Sequence, residues 1–161
     1  HLNLHTISSN NFIGVVMNLE QLMDEWKKDS QIDDNHLGEA STYTPNLHSK
    51  YIDIMVSYKL KLAKIRGEYN VLRKNKFRYY RGELSRDELT DLGWSQWQGV
   101  KPLKNEMDEF LQGDTELNTI KLKAEYLETM IYLLESILGQ LKARDWQIKS
   151  AIEWKRFLAG M

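Results

Sequence analysis

The sequence contains no cysteine and, in 161 residues, only two prolines and nine glycines. Without cysteine, neither a disulfide framework nor a thiolate metal site can form. The scarcity of proline and glycine, together with runs rich in Lys, Glu and Leu, favours long helices. Charged residues interrupt every apolar cluster, so no run approaches the roughly 18 residues that a bilayer-spanning helix needs. These absences predict an all-α protein with no membrane span.

The residue patterns that catalysis needs are also missing. The sequence has no glycine-rich phosphate loop and no serine in a nucleophile elbow. Among the four histidines, only His1 and His5 have the spacing of a helical zinc site, and both lie in the N-terminal extension. Neighbouring acids such as Asp33 and Asp34 are interpreted as solvated surface charge. We therefore predict no enzyme activity, no cofactor and no metal site.

The chain length fits one domain. Residues 1–16 lack the basic start and compact apolar centre of a signal peptide, and they are predicted to form a flexible extension before a single helical domain over residues 17–161. Asn18 is placed to cap a short helix that ends near Lys28. Residues 29–46, which include Pro45, predict a loop or a broken helix.

Two long helices are predicted from apolar residues at alternating gaps of three and four. The first covers residues 47–81, and its seam consists of Tyr51, Met55, Tyr58, Leu62, Ile65, Tyr69 and Leu72. The second covers residues 115–158, and its seam consists of Leu127, Met130, Leu134, Ile137, Leu141, Ile148 and Ala151, with Arg144 in one seam position. The predicted fold is a coiled-coil-like helical hairpin with short connecting helices.

The connecting segment, residues 82–114, contains one legible short helix. Ser85 and Glu88 fit a capping box, and Gly93 is placed to end the helix. The rest of this segment is predicted to be loop, with Trp94 and Trp97 leaning on the helical body.

The last helix carries a second apolar stripe beside its seam, formed by Ala124, Ile131, Leu138 and Ile152. One hypothesis is that other copies of the chain cover this extra surface. The other is that Trp94, Trp97 and the N-terminal helix cover it within one chain. The sequence leaves both open.

Charge is distributed unevenly along the chain, although the net charge is only −1. Residues 17–53 contain eight acids and three lysines, whereas residues 59–81 contain nine bases and one acid. The second segment lacks the mixed signs of an ordinary solvated helix face, and such asymmetry indicates an anionic partner.

The end of this basic segment interleaves cations with aromatic rings. Cations attract phosphates through counterion release, and rings offer platforms for unpaired bases, so the pattern is typical of a single-strand binder. The candidate nucleic-acid-binding residues are Lys59, Lys64, Arg66, Arg73, Lys74, Lys76, Arg78, Tyr79, Tyr80 and Arg81. Alternatively, the aromatic residues simply end the apolar seam, and the cations meet an anionic protein or membrane surface. In that case the protein is a structural coiled-coil adaptor that binds protein partners through its charged segments.

Three short motifs resemble a known family. Met17 to Leu22 followed by Lys27-Lys28-Asp29, the run Lys74-Asn75-Lys76-Phe77 before Arg78-Tyr79-Tyr80, and the ending Gln147 to Gly160 resemble the UvsY family of recombination mediator proteins from T4-like bacteriophages. The resemblance suggests Met17 as the natural first residue. The family's basic motif reads Lys-Ala-Arg-Leu before Asp-Tyr-Tyr. This chain has Asn75, Lys76 and Arg78 where the motif has alanine, arginine and aspartate. Because lysine replaces arginine at position 76, the bidentate geometry of arginine is lost there.

The resemblance implies a mediator that binds single-stranded DNA, weakens the phage single-strand-binding protein on it and helps load the phage recombinase. It implies the cytoplasm of an infected bacterium as the location and a ring-shaped homo-oligomer, described as a heptamer. Lys74 and Lys76 are then expected to contact the DNA backbone. The implied oligomer interface consists of Ile148, Ile152, Trp154, Phe157 and Leu158.

Overall fold

The computed structural model describes residues 17–161, so the predicted flexible extension, residues 1–16, and the histidine pair in it lie outside the described residues. Residues 17–161 are all-α and include no β-strand. The helices are α1 (Leu19–Asp29), α2 (Leu37–Tyr80), α3 (Arg86–Leu92), α4 (Met107–Gln112) and α5 (Thr115–Leu158). None of them has both the length and the apolar character needed to cross a membrane.

The described residues form two compact units, one composed of residues 17–59 and Thr129–Met161 and the other of Leu60–Glu128. We call them unit 1 and unit 2. Both α2 and α5 contribute residues to each unit. The expectation of a single domain over residues 17–161 stays a prediction.

In unit 1, α1 is held against the long helices by a buried contact, a ring contact and polar contacts. Leu22 is fully buried, and the rings of Trp26 and Tyr51 pack edge-on with 5.4 Å between their centroids. The carboxylate of Asp29 accepts hydrogen bonds from Tyr51 (2.8 Å) and Lys50 (2.6 Å). These contacts between residues more than 20 positions apart fix a helix that is too short to be stable alone.

Arg144, the charged residue in the apolar seam of α5, has a structural partner in unit 1. Its guanidinium, 5 % exposed, donates to the backbone carbonyls of Asp29 (3.2 Å), Ser30 (3.4 Å) and Gln31 (3.4 Å). Carbonyls at a helix C-terminus lack intrahelical partners and carry partial negative charge. Arg144 therefore caps α1 from another helix.

α2 begins at Leu37, ten residues before the predicted start, and Pro45 lies inside it. A proline removes one helical hydrogen bond and is unfavourable inside a helix by about 3 kcal/mol. Burial of Leu37 and Leu47 on either side of Pro45 stabilises this stretch, and Thr44 Oγ1 donates to the Ala40 carbonyl at 3.1 Å. Tertiary packing thus overrides the local helix-breaking tendency.

In unit 2, the short helices surround the end of α2. Met107, Leu111 and Leu117 form a buried cluster against which Tyr69, Leu72, Phe77 and Tyr80 pack. The capping box of α3 is confirmed, and Gly93 ends this helix in the left-handed conformation (φ +71°). The helix α4 lies in a stretch that was predicted to be loop.

The second apolar stripe of α5 is partly covered by the chain itself, since Ile131 and Leu138 are buried. Trp94 and Trp97 pack instead on aromatic residues of α2 and α4. The exposed apolar surface near the C-terminal end of α5 comprises Trp146, Trp154, Phe157 and Leu158.

Candidate nucleic-acid interface

Nine of the ten candidate nucleic-acid-binding residues lie on α2, and Arg81 follows it directly. Lys59 belongs to unit 1 and the other nine to unit 2. In the folded chain, carboxylates from other segments lie beside most of these cations. The candidates therefore differ in whether their charge is available to a ligand.

Lys76 is buried, although its sequence neighbours suggested an exposed cation. The residue is 6 % exposed, and its ammonium lies 3.1 Å from Asp114 Oδ2 and 3.2 Å from Glu116 Oε1. The ammonium also lies 4.5 Å from the ring centroid of Trp94, within cation–π range. Lys76 therefore joins the end of α2 to the start of α5.

Asp114 is the counter-ion in this cluster and also the cap of α5. Its Oδ1 accepts from the Leu117 amide at 3.0 Å, and its Oδ2 accepts from the Tyr80 hydroxyl at 2.6 Å. Burial acts to raise the pKa of Asp114, but the hydrogen bonds from Tyr80, Leu117 and Lys76 outweigh it and lower that pKa. Burial and the adjacent Asp114 carboxylate raise the pKa of the Tyr80 phenol. The cluster is thus a neutralised structural site.

Tyr79 and Tyr80 are half-buried in a group of aromatic rings. Tyr79 contacts Trp94 at 5.2 Å between ring centroids, and Tyr80 contacts Trp97 at 4.9 Å. Tyr80 also meets Phe110 edge-on at 5.6 Å. In this arrangement the two tyrosines pack against other protein rings, as the alternative interpretation of the aromatic residues proposed.

Arg78 and Arg81 hold the connection that follows α2. Arg78 makes two parallel bonds to the Glu88 carboxylate, at 2.8 and 3.1 Å, and Glu88 also accepts from the Ser85 amide in the capping box. The hydrogen bonds from Arg78 and then from Ser85 lower the pKa of Glu88 to about 2. Arg81 donates to the Pro102 carbonyl at 3.1 Å.

Three candidate cations form exposed ion pairs. Lys59 lies 4.0 Å from Glu135 within unit 1, and in unit 2 Arg66 lies 2.7 Å from Glu128 and Arg73 lies 3.5 Å from Asp108. Such solvent-exposed pairs contribute about 0.2–1 kcal/mol each. A phosphate can therefore replace these carboxylates at small cost.

Lys64 and Lys74 are exposed and have no carboxylate partner among the described residues. Both lie on one face of α2, with Gly67 and Val71 between them at helical spacing of three and four. Ten residues of helix separate the two lysines by about 15 Å along the axis. This face of α2 presents cations to solvent, and we call it the outer face.

The five predicted interface residues divide into buried and exposed positions. Ile148 is buried within the chain and Ile152 is half-buried, whereas Trp154, Phe157 and Leu158 are exposed. The rings of Trp154 and Phe157 stack, with 5.6 Å between their centroids. An exposed apolar group of this kind marks an interaction surface.

No direct signal in the sequence identifies the carboxylates that neutralise the basic segment. Asp114 and Glu116 lie about 40 residues from Lys76, and no local pattern connects them. The only sequence signal was the capping box, which identified Glu88 without its second partner, Arg78. Among residues 17–161, no group of three or more His, Cys, Asp or Glu side chains converges as a metal site requires.

The fold and its surfaces define a class, an all-α protein with a cationic helix face and an exposed apolar helix end. The sequence model of the UvsY family, described as "Recombination, repair and ssDNA binding protein UvsY", matches residues 25–161. The chain belongs to this family, as its motifs had indicated. The family description is that of a binding protein.

Known proteins similar to this chain come from bacteriophage T4. Recombination protein uvsY of Enterobacteria phage T4 is 26 % identical over 144 residues, which are 89 % of this chain and 99 % of that protein. A crystal structure of the bacteriophage T4 recombination mediator protein UvsY, in lattice type II, matches with a TM-score of 0.77 and 26 % identity, and covers 89 % of this chain and 99 % of its own. The structure in lattice type I gives a TM-score of 0.74 and 25 % identity, and it covers 84 % of this chain and 97 % of its own.

Proposed function

We propose that this protein is a recombination mediator. It binds single-stranded DNA, weakens the hold of the phage single-strand-binding protein and promotes loading of the phage recombinase in recombination, replication and repair. Its place of action is the cytoplasm of the infected bacterial host. Membership of the UvsY family and similarity to the T4 recombination mediator protein support this proposal.

The observation that carries the DNA-binding part is the outer face of α2. Lys64 and Lys74 have no carboxylate partner there among the described residues, and the exposed Arg66 and Arg73 lie on the same helix. Phosphates attract such cations because binding releases counterions from the strand. We assign the phosphate contacts to these four residues and to Lys59.

The remaining candidates act indirectly in this proposal. Lys76, Arg78 and Arg81 hold the segments that follow α2 through carboxylates and a carbonyl, and Tyr79 and Tyr80 pack among other rings. Their interactions fix the shape of the end of α2. The DNA therefore meets a preformed surface, and these five residues contribute by positioning it.

The assembly part of the proposal is a ring-shaped homo-oligomer, a heptamer, formed through the C-terminal end of α5. Trp154, Phe157 and Leu158 supply an exposed apolar surface, with Ile152 beside them, while Ile148 belongs to the core of the chain. A ring brings several cationic faces onto one strand. The effective concentration of the linked sites then raises the affinity beyond that of one chain.

The alternative, a structural adaptor that binds protein partners through its charged segments, is less favoured, because five of the nine cations at residues 59–81 pair with carboxylates more than five positions away in the same chain. Two acids of the N-terminal segment are also paired within the chain, since Glu25 and Asp29 both form ion pairs with Lys50. An adaptor that uses these charges for partners has to break the internal pairs. The DNA-binding proposal needs no such rearrangement at Lys64 and Lys74.

The test is a titration of single-stranded and double-stranded oligonucleotides over a range of salt. We expect the single strand to bind more tightly, and the double variant Lys64→Gln/Lys74→Gln to lower the slope of log affinity against log salt by about 1.4, or 0.7 for each phosphate contact. The matched control is Lys123→Gln/Lys142→Gln, which removes two exposed lysines from α5. No affinity of the wild-type protein for any single strand at low salt would favour the adaptor.

The assembly is tested separately by light scattering. The wild-type protein should give a mass well above the 19.0 kDa of one chain, and Trp154→Ala/Phe157→Ala should reduce it. Tyr132→Ala is the control, because Tyr132 is an exposed aromatic residue of α5 outside the proposed interface. A monomeric wild-type protein at micromolar concentration contradicts the ring.

A further inference from the structure

Unit 2 contains a groove between α2 and α5, and the proposal above uses only one of its residues, Arg66. Arg66, Tyr69 and Asn70 line it from α2, and Lys121 and Ala124 line it from α5. Its volume is about 270 Å³. No carboxylate is among these residues, although acids outnumber bases in the whole chain, 23 to 22. Two cations therefore line the groove, and one of them, Arg66, is paired with Glu128.

The register of the two helices explains why this site stays cationic. Arg66 pairs with Glu128, and Lys76 pairs with Glu116, so α2 and α5 run antiparallel within unit 2. A step of seven residues from the Arg66 pair, forward on α2 and backward on α5, places Arg73 opposite Lys121. Seven residues beyond the Arg66–Glu128 pair, the two helices thus place two bases, Arg73 and Lys121, opposite each other. Arg73 has Asp108 of α4 as its carboxylate partner instead, at 3.5 Å.

Lys121 has no carboxylate partner among residues 17–161. Arg66, in contrast, is held in place by Glu128 at 2.7 Å. Arg73 and Lys121 occupy facing positions in the register and repel each other, and an anion bound at Lys121 reduces that repulsion. The arrangement favours a phosphate.

Tyr69 supplies a fixed aromatic surface in the same groove. Its half-buried ring packs against the cluster of Met107, Leu111 and Leu117, which restricts its rotation. The adjacent Asn70 is exposed, and its amide can both donate to and accept from the edge of a base. The volume lies below the range for drug-sized ligands, so the groove is suited to a single planar base.

We infer that this groove binds one nucleotide of the single strand, with its phosphate at Lys121 and Arg66 and its base against Tyr69 and Asn70. The inference rests on the proposed function, because it places part of the bound DNA. It adds α5 to the DNA-binding surface. The strand then runs from the outer face of α2 across the flank of the helix and contacts both long helices of unit 2.

The first experiment compares Lys121→Gln with Lys123→Gln in a fluorescence anisotropy titration of a labelled oligothymidylate. The loss of one phosphate contact should lower the salt slope by about 0.7, which corresponds to about fivefold weaker binding at 0.1 M salt. Lys123 is exposed on the same helix, two residues away and so on another face, and its replacement should leave the slope unchanged. Equal effects of the two variants would overturn the groove assignment.

The variant Lys121→Glu is expected to change thermal stability and DNA affinity in opposite directions. The introduced carboxylate faces Arg73 in the helix register, so thermal stability should be retained or raised while DNA affinity falls by more than fivefold. Lys123→Glu is the matched charge reversal. If the loss of DNA affinity in Lys121→Glu is fully explained by a smaller fraction of folded protein, Lys121 has a structural role and the inference fails.

The base contact is tested by photocrosslinking with 5-iodouracil at single positions of the oligonucleotide. A crosslink to the peptide that contains Tyr69, retained in Tyr69→Phe and reduced by Lys121→Glu, supports the inference. If Lys64→Gln/Lys74→Gln weakens binding while Lys121→Gln does not, the groove is refuted and the proposed function stands. If the wild-type protein binds no single strand, both fall.

Discussion

The buried ion pair between Lys76 and Asp114 allows a direct test of what Lys76 contributes. Replacement of Lys76 by Met keeps the length and much of the volume of the side chain and removes the charge. The Asp114 side chain, which is 3 % exposed, then loses its ammonium partner at 3.1 Å. It keeps the hydroxyl of Tyr80 and the amide of Leu117.

The expected destabilisation follows from the burial of this pair. Removing one partner of a buried ion pair costs about 3–5 kcal/mol because the other charge stays uncompensated. The two hydrogen bonds that remain to Asp114 place Lys76→Met at the lower end, about 3 kcal/mol. For a chain of this size that corresponds to a decrease of the melting temperature by about 6–12 °C.

The measurement combines thermal unfolding with DNA titration well below the melting temperature. A second variant, Lys76→Met/Asp114→Asn, removes both charges and keeps a capping side chain at α5, so it should recover most of the lost stability. In folded Lys76→Met the salt slope of DNA binding should equal that of the wild-type protein. A variant that unfolds like the wild type yet has a lower slope would refute the structural role and restore Lys76 as a DNA contact.

Three further predictions concern other contacts of the fold. Arg144→Met should lower stability by about 2 kcal/mol in urea unfolding, because the carbonyls at the end of α1 lose their cationic partner; an unchanged midpoint would contradict this cap. Glu88→Gln should flatten the decrease in stability below pH 4.5, since the pKa of Glu88 is lowered to about 2 in the folded chain and its ionised contribution is complete above pH 4.5 and lost as the pH falls. An acid unfolding curve identical to that of the wild type would exclude a role for the Arg78 bond. Gly93→Ala should cost about 1 kcal/mol because of its positive φ, whereas Gly67→Ala, at a helical position, should be neutral or stabilising, and equal effects would argue against the left-handed cap.

The local features of the helices were predictable from the sequence. The N-cap at Asn18 and the capping box at Ser85 are both present, and α5 begins at Thr115 and ends at Leu158 as predicted. These features depend on residues within one turn of each other, where the chemistry of the cap and the spacing of apolar residues act directly.

Features that depend on distant residues were missed. The first turns of α2 contain Pro45, which locally argues for a break, yet burial of Leu37 and Leu47 stabilises the helix there. The helix α4 has only six residues and no side-chain cap, so its own sequence gives a weak signal. Packing of Met107 and Leu111 in the core of unit 2 stabilises it.

The sequence by itself determined that residues 59–81 carry a large positive charge and form a helix, because composition and apolar spacing decide both. Only the tertiary structure decided which of those cations remain available. Lys76 lies in the basic motif of the family, yet carboxylates from the start of α5 neutralise it, whereas Lys64 and Lys74 face solvent without a carboxylate partner among the described residues. The physical reason is that Coulomb interactions act over a few ångströms in space, and folding brings together charges that lie 40 residues apart in the chain.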